Sequence, residues 1–93
     1  MTRTLLRSSA FATRAKRLLK RDPQRAEDIK LALELLASDC FHSSLKTHKL
    51  KGELRDCWAC SAGYDLRIVF QFVDYEGAEA ILLLTIGTHD EVY

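Results

Sequence analysis

Apolar residues in the first part of the chain recur with the period of an α-helix. Phe11, Ala15 and Leu18 stand at positions i, i+4 and i+7, which predicts an amphipathic helix over residues 10–21. Two leucines within residues 2–8 predict a short β-strand ahead of this helix, with one side chain on each face. The chain is therefore expected to begin with a strand followed by a helix.

A second helix is predicted to start directly after the first. Asp22 and Pro23 mark the boundary, because aspartate is a common N-cap and proline suits the first helical position. The periodic apolar residues of the stretch 23–37, expected to be buried, are Ala26, Ile29, Leu33 and Leu36. Two helices joined so tightly predict an antiparallel helical hairpin.

The second half of the chain shows the alternation of β-strands, after a stretch without any sustained period. Residues 38–52 form that irregular stretch and are expected to be the longest loop, where functional residues often lie. Strands are predicted at 54–61, 65–73 and 81–86, with turns at 62–64 and 74–80. The last strand is apolar on both faces, which predicts a central position. The order β-α-α-β-β-β predicts an α+β domain, an antiparallel sheet packed by the N-terminal helical hairpin.

Length and composition favour a single small globular domain covering residues 1–93. The 93 residues are 47% hydrophobic, which is enough for a modest core and argues against disorder. No stretch approaches the roughly 20 apolar residues of a membrane helix, and no signal peptide is recognisable. The expected location is the cytoplasm, with no membrane partner.

The three cysteines are interpreted as buried or inert thiols. Their number is odd, whereas a disulfide-stabilised secreted domain usually has an even set. Cys57 and Cys60 form a C-x-x-C, but a structural zinc site needs about four ligands and the chain has no second such pair. A metal or redox role is the weaker alternative, so neither a metal nor a cofactor is expected. No P-loop and no G-x-S-x-G is present, which leaves nucleotide-driven and serine-hydrolase chemistry without support.

The net charge of +1 conceals a separation of charge along the chain. Residues 1–55 carry 13 basic and 6 acidic side chains, a net charge of +7, and residues 56–93 carry one basic and 7 acidic side chains, a net charge of −6. A basic surface would suit a polyanion, although a solvated helix face is the simpler explanation. The candidates on the first predicted helix are Arg14, Arg17, Lys20 and Arg21.

His48 and His89 are the main candidates for chemistry, since both lie outside the periodic segments. One is in the irregular stretch and the other directly follows the last strand. An imidazole has a reference pKa of about 6.5, so the two could serve as base and acid on one substrate if the fold brings them together. Ordinary surface histidines remain the alternative, and for His42 this is the preferred interpretation.

Other polar and aromatic residues could assist these histidines. Asp65 could accept a proton or orient a histidine, or simply favour the turn that it follows. Arg67, on the polar side of a predicted strand, could bind phosphate through two N–H groups or form an ordinary salt bridge. Tyr93 could stack on a base or handle a proton. Trp58 and Tyr64 are interpreted as core and turn aromatics, with base stacking as the weaker alternative. The lysines that could supply positive potential around His48 are Lys46, Lys49 and Lys51.

Three stretches together resemble a known toxin family. They read HKLKGEL (48–54), CWACSAGYDLRIVF (57–70) and ILLLTIGTHDEVY (81–93). The H-x-L-x-G element and the ending G-[ST]-H-x-x-[LV]-[FY], in this order and spacing, resemble the toxins of bacterial type II toxin–antitoxin modules in the RelE/ParE superfamily. The branch that they resemble most is that of the YafQ-type, ribosome-dependent mRNA interferases.

The resemblance implies a small, microbial-ribonuclease-like α+β fold and metal-independent cleavage of mRNA in the ribosomal A site. The nucleophile would be a ribose 2′-OH that attacks the adjacent phosphate. A co-expressed antitoxin is the implied protein partner, in a hetero-oligomer, and the free toxin is expected to be monomeric. Matched by position, the implied catalytic residues are His48, Asp65, His89 and Tyr93, with phenylalanine more usual at the last position. Arg67 matches the strand arginine of the wider RelE pattern, and the basic first helix would bind ribosomal RNA.

The chain departs from the YafQ-type pattern on the predicted second strand. The position four residues before the aspartate, a further histidine in that pattern, is Ser61 here, and the often acidic residue two positions earlier is Ala59. A site with one imidazole fewer could work more slowly or use other proton carriers. Two alternatives therefore stay open, a non-catalytic ParE-like toxin that binds DNA gyrase and a degenerate toxin that acts only through antitoxin binding.

Overall fold

The computed structural model describes residues 2–93, and its first elements follow the predicted order. They are β1 (Leu5–Arg7), α1 (Ser9–Arg21) and α2 (Ala26–Ser38). Ser8 caps α1, because its hydroxyl accepts a hydrogen bond from the Phe11 amide at 3.1 Å. Met1, the first residue of the predicted 1–93 domain, lies outside the described residues.

The junction between the helices differs from the prediction. Residues Pro23–Arg25 form a 3-10 turn, and α2 begins only at Ala26, which is exposed rather than buried. The Asp22 carboxylate caps neither element and instead accepts a hydrogen bond from Arg25 Nε at 2.8 Å. The buried face of α2 consists of Ile29, Ala32 and Leu36, with Leu33 partly buried beside them.

Five strands form one sheet. The strands after α2 are β2 (His48–Lys49), β3 (Trp58–Ala62), β4 (Leu66–Tyr75) and β5 (Ala78–Thr88). Their spatial order is β1-β5-β4-β3-β2, and all neighbours are antiparallel except β1, which runs parallel to β5. The predicted antiparallel sheet is therefore mixed at one edge. β5 lies between β1 and β4, as its apolar residues on both faces predicted.

The predicted loop 38–52 contains more structure than its sequence indicates. The 3-10 turns Ser43–Leu45 and Gly52–Leu54 flank β2, which pairs with β3. Leu45 is buried and packs in the core, which anchors the segment. As a consequence β3 starts at Trp58 rather than at residue 54.

The hairpin of β4 and β5 is longer than predicted. The expected turn 74–80 shrinks to Glu76 and Gly77, since β4 continues to Tyr75 and β5 starts at Ala78. Both turn residues have positive φ, 52° and 80°, as the commonest two-residue hairpin loop requires.

The core lies between the two helices and one face of the sheet. Its main contributors are Phe11, Leu18, Ile29, Leu36, Leu66, Ile68, Phe70, Ile81, Leu83 and Ile86. The other face (the open face) carries two rows of cross-strand neighbours, His48–Ala59–Val69–Thr85 and Ser61–Arg67–Gly87. Paired residues share a face, so the histidine of β2 and the arginine of β4 lie on the same side of the sheet.

A β-bulge in β5 determines which of its residues reach the open face. Val69 pairs with Thr85 but Phe70 pairs with Leu83, so Leu84 has no partner of its own. Leu83 before the bulge and Ile86 after it both face the core. Thr85 and Gly87 therefore lie on the open face, paired with Val69 and Arg67 of β4.

Candidate active site

His48 lies at the outer edge of the open face, on β2. Its Nδ1 is 2.9 Å from the backbone carbonyl of Lys46, and a carbonyl only accepts, so Nδ1 carries the proton of the neutral ring. Lys46 has a left-handed backbone conformation, with a φ of 53°, at the end of the 3-10 turn before β2. Nε2 of His48 is therefore left with a lone pair that can accept a proton.

His89 opens a short helix, α3 (His89–Val92), that packs against β4 and β5. Thr88 and Glu91 form a capping box, in which the Thr88 amide donates to Glu91 Oε1 at 2.9 Å. These hydrogen bonds hold the pKa of Glu91 below its usual range. Gly87 makes the close approach possible, because a Cβ there would lie 3.0 Å from Glu91 Cβ.

Tyr93 lies between the two histidines. Its ring centroid is 4.5 Å from that of His89 and 6.5 Å from that of His48, edge-on in both cases, and its hydroxyl is 3.5 Å from His48 Nε2. Partial burial raises the pKa of Tyr93, while the charge of Arg67 opposes that rise. The hydroxyl is therefore protonated at neutral pH. Nδ1 of His89 lies 3.6 Å from Asp90 Oδ1, beyond hydrogen-bond distance.

A cleft of about 530 Å³ opens beside His89. The residues that line it are Tyr64, Asp65, Arg67, Thr88, His89 and Asp90. Arg67 Nη1 donates to the backbone carbonyl of Leu66 at 3.0 Å, and within residues 2–93 the guanidinium forms no salt bridge. Its remaining N–H groups are available for an anion such as phosphate.

Asp65 is bound by Arg25, a residue that the sequence analysis did not select. Arg25 Nη1 donates to Asp65 Oδ1, Nη2 lies 3.3 Å from Oδ2, and Nε bonds to Asp22. The contact with Arg25 holds the pKa of Asp65 below its usual range. A carboxylate with a lowered pKa is a weaker base, so this geometry favours an orienting role for Asp65 over proton transfer. Asp22 and Arg25 are spaced as a helical i,i+3 pair, but no sequence signal connects Arg25 with Asp65, 40 positions away.

The remaining candidates have different surroundings. Lys49 and Lys51 are exposed on and after β2, close in sequence to His48. Ser61, which replaces the expected histidine, is the neighbour of Arg67 in the second row of the open face. His42 is exposed, and its Nδ1 accepts a hydrogen bond from the Ser44 amide at 3.1 Å, so it caps a 3-10 turn. Trp58 packs edge-on against Phe41 and Phe72, on the core face of the sheet and therefore opposite to the face that carries His48.

The basic residues of α1 adjoin the site. Arg14, Arg17 and Arg21 line a depression together with Glu91 of α3, and the charges of Arg21 and Arg14 add to the lowering of the Glu91 pKa. Lys20 is exposed on the same helix but does not line this depression. The arginines of α1 thus lie beside α3, a segment that itself carries the carboxylates of Asp90 and Glu91.

Two further findings concern metal and membrane. Within residues 2–93, no three His, Cys, Asp or Glu side chains are grouped so that they could hold a metal ion. None of the described helices has both the length and the apolar character needed to cross a membrane.

The three cysteines are buried and free, and burial raises the pKa of the Cys60 thiol to about 12, which makes it unreactive.

Comparisons with known proteins identify the family and the fold of the chain. A family model described as the bacterial toxin of type II toxin–antitoxin system, YafQ, matches residues 3–93. YafQ from E. coli strain BL21(DE3) has a similar structure, with a TM-score of 0.75 and 18% identity over 98% of each chain. A chain of the E. coli DinJ–YafQ toxin–antitoxin complex matches with a TM-score of 0.74 and 18% identity, over 100% of this chain and 99% of that chain. A YoeB/ParE toxin from Agrobacterium tumefaciens gives a TM-score of 0.75 and 15% identity, over 92% of this chain and 98% of that chain.

A comparison with curated proteins finds no match. The solved structures, at these identities, establish the fold, and the family match extends over nearly the whole chain. The resemblance read from the three sequence stretches, to the RelE/ParE superfamily and its YafQ-type branch, is confirmed. The chain belongs to the YafQ family of bacterial toxins of type II toxin–antitoxin systems.

Proposed function

We propose that this toxin is a ribosome-dependent endoribonuclease that cleaves translated mRNA in the A site, with its own side chains as proton carriers. The observation that supports this most is the position of two imidazoles on either side of Tyr93, next to a cleft that contains Arg67. When a ribose 2′-OH attacks the adjacent phosphate, a base takes the proton of the hydroxyl and an acid gives a proton to the leaving oxygen. A cation beside the phosphate stabilises the extra negative charge. Family membership makes the translating ribosome the expected site of action.

The hydrogen bonds of the site suggest which histidine is the base. His48 has its proton on Nδ1, bonded to the Lys46 carbonyl, so Nε2 accepts the proton of the 2′-OH as its oxygen attacks phosphorus. The bond from phosphorus to the 5′-oxygen breaks, and His89, entering as an imidazolium, gives that oxygen a proton. The products are a 2′,3′-cyclic phosphate and a 5′-hydroxyl. Each such proton transfer contributes typically 10²- to 10⁴-fold to the rate in enzymes.

The groups around the histidines would bind and orient the RNA. Arg67 would stabilise the extra negative charge on the phosphate in the transition state, with Lys46, Lys49 and Lys51 adding positive potential. Tyr93 would stack on a base or position the substrate. Asp65, paired with Arg25, would hold the turn beside the cleft rather than exchange protons.

The partners follow from the charges and the family. The basic surface of α1 would bind ribosomal RNA through Arg14, Arg17, Lys20 and Arg21, which makes the interaction sensitive to salt. A cognate antitoxin would neutralise the toxin in a hetero-oligomer, since a chain of this fold occurs in the E. coli DinJ–YafQ complex. The cytoplasm, where mRNA is translated, would be the site of action.

Mapping of mRNA 5′ ends in a translating extract tests the proposal. The purified protein should produce cuts at in-frame codon positions, and a ribosome-free RNA sample should remain intact. His48→Ala and His89→Ala should each lower the cutting rate by about 100-fold or more. Lys30→Ala is the control, because this exposed side chain of α2 does not line the cleft and its loss should leave the cuts unchanged. Uncut mRNA with unimpaired translation would contradict the proposal.

Ser61 keeps a second function open. The open face carries a serine where the YafQ-type pattern has an additional imidazole, and such a loss would be expected in a toxin that no longer cuts RNA. If the double variant His48→Ala/His89→Ala still inhibits growth, the toxin acts by binding. Inhibition of gyrase supercoiling would then identify a ParE-like target, and antitoxin binding without toxicity would identify a degenerate toxin.

A further inference from the structure

Tyr64 has a position that the fold does not explain. Its side chain is 95% exposed, more than any other large apolar residue in the described part of the chain. It contributes almost no buried area to the core, so an aromatic ring here gains nothing in stability. The ring borders the cleft that also contains Arg67 and His89. The sequence interpretation of Tyr64 as an ordinary turn aromatic does not account for this location.

The turn that carries Tyr64 is fixed from both sides, although the ring is free. Gly63, with a φ of 71°, packs so closely against Asp28 of α2 that an added Cβ would overlap the carboxylate. On the other side, Asp65 is held by the two guanidinium nitrogens of Arg25. A rigid backbone that presents an unburied ring at a cleft is a preorganised arrangement for binding a flat ligand.

We propose that Tyr64 is a stacking site for an unpaired nucleobase of the RNA, in the cleft that also contains Arg67 and His89. The inference deepens the proposed function and rests on it. A base has an apolar π-face whatever its identity, so an aromatic ring beside a cationic groove binds single-stranded RNA without reading its sequence. Arg67 would hold the phosphate beside His89, and Tyr64 would hold a base next to it in the same cleft.

Substitutions at Tyr64 separate stacking from other roles. Tyr64→Ala should lower kcat/KM for cleavage of ribosome-bound mRNA by about 5- to 150-fold, the range measured for loss of one base–aromatic stack. Tyr64→Phe keeps the ring and should stay within about twofold of the wild type, whereas Tyr64→Leu keeps apolar bulk and should resemble alanine. Tyr75→Ala is the matched control, because Tyr75 is a 42% exposed tyrosine at the distal end of the β4–β5 hairpin.

The outcomes divide clearly. Equal activity of the Leu and Phe variants, or full activity of the Ala variant, overturns the proposal. A loss in Tyr64→Phe as large as in Tyr64→Ala also overturns it, since the hydroxyl rather than the ring would then matter. If Tyr64→Ala cuts normally but binds the antitoxin more weakly, the ring is part of a protein interface instead. Thermal melting of each variant controls for folding, and an exposed ring predicts unchanged midpoints.

A second measurement does not depend on cleavage. The variant Tyr64→Trp in a Trp58→Phe background, which removes the only other tryptophan, reports on the turn by fluorescence. A short single-stranded RNA should quench this signal, and an abasic oligonucleotide of the same length and charge should not. Quenching by both, or by neither, overturns base stacking. If the wild type cuts no mRNA but the RNA quenches the signal, the proposed nuclease function fails while the base-binding site stands.

Discussion

Replacement of Gly87 by alanine should impair the site while leaving the fold nearly intact. A Cβ at this position would lie 3.0 Å from Glu91 Cβ and 3.2 Å from Val92 Cγ1. These contacts are tighter than ordinary carbon–carbon packing, so α3 would have to move away from β5 by a few tenths of an ångström. The backbone of Gly87 is outside the left-handed region, so alanine itself introduces no conformational strain.

The movement matters because α3 positions two of the side chains proposed to act in catalysis. His89 begins this helix and Tyr93 follows its last residue. A misplacement of about 1 Å in an active site can cost about 100-fold in rate, so the smaller shift expected here should lower kcat for mRNA cleavage by about 3- to 10-fold. The loss of stability should stay below about 1 kcal/mol, under the 1–3 kcal/mol typical of overpacked cores, because a four-residue helix on the surface can shift.

Gly77→Ala is the matched comparison, with the opposite expected pattern. No atom lies within 4 Å of a Cβ at Gly77, but its φ of 80° costs an alanine about 1–2 kcal/mol. The melting temperature should fall by about 4–8 °C per kcal/mol, whereas cleavage at 25 °C should be unchanged because this turn is at the far end of the hairpin from Thr88. Full cleavage by Gly87→Ala, or parallel losses of stability and cleavage in both variants, would refute the reasoning.

Three further predictions concern other parts of the site. Lys46→Gly should raise the free energy of unfolding in urea by about 1 kcal/mol, because glycine accepts the φ of 53° without strain. The backbone carbonyl that orients His48 is kept in this variant. A decrease in the free energy of unfolding would contradict the left-handed conformation of Lys46. Asp65→Asn should lower stability at pH 7. Because the pKa of Asp65 is lowered, its contribution to stability is present above the ordinary value of 3.8 and is lost as the pH falls below it. The difference in the free energy of unfolding between the variant and the wild type should therefore shrink between about pH 5 and pH 2 in urea titrations. A constant difference would argue against the pair with Arg25. Arg14→Glu/Arg17→Glu should weaken ribosome binding and flatten its dependence on salt, with unchanged melting; an unaltered salt slope would remove α1 from the interface.

The elements with strong periodicity could be predicted from the sequence. The apolar repeat of α1, the alternation of β4 and the apolar faces of β5 each determine which side is buried, and the structure has all three. The two-residue strand β2 could not be predicted, because His48 and Lys49 are polar and their pairing with β3 depends on Leu45 anchoring the preceding turn. The same holds for the bulge in β5, which has no local signal in an uninterrupted apolar run.

Some residues of the candidate site could likewise be predicted from the sequence, and others could not. His48, His89 and Tyr93 could be selected because they are titratable or aromatic residues just outside periodic segments, and the fold places them together. Arg25 could not be selected, since its contact with Asp65 joins the turn before α2 to the turn before β4. The exposure of Tyr64 could not be predicted either, because a tyrosine in a turn has the same sequence pattern whether its ring is buried or exposed to solvent.

The central claim is that the RNA's own 2′-OH attacks the phosphate and that the two histidines move the protons. Once a cut site has been mapped, the most direct test is an mRNA with a single 2′-deoxy nucleotide on the 5′ side of the scissile phosphate, bound in the A site of programmed ribosomes. The account predicts that the wild type cuts the all-ribose message to give a 2′,3′-cyclic phosphate and a 5′-hydroxyl, and leaves the deoxy message uncut. Equal cleavage of both messages, or 5′-phosphate ends, would contradict the account and point to a water nucleophile.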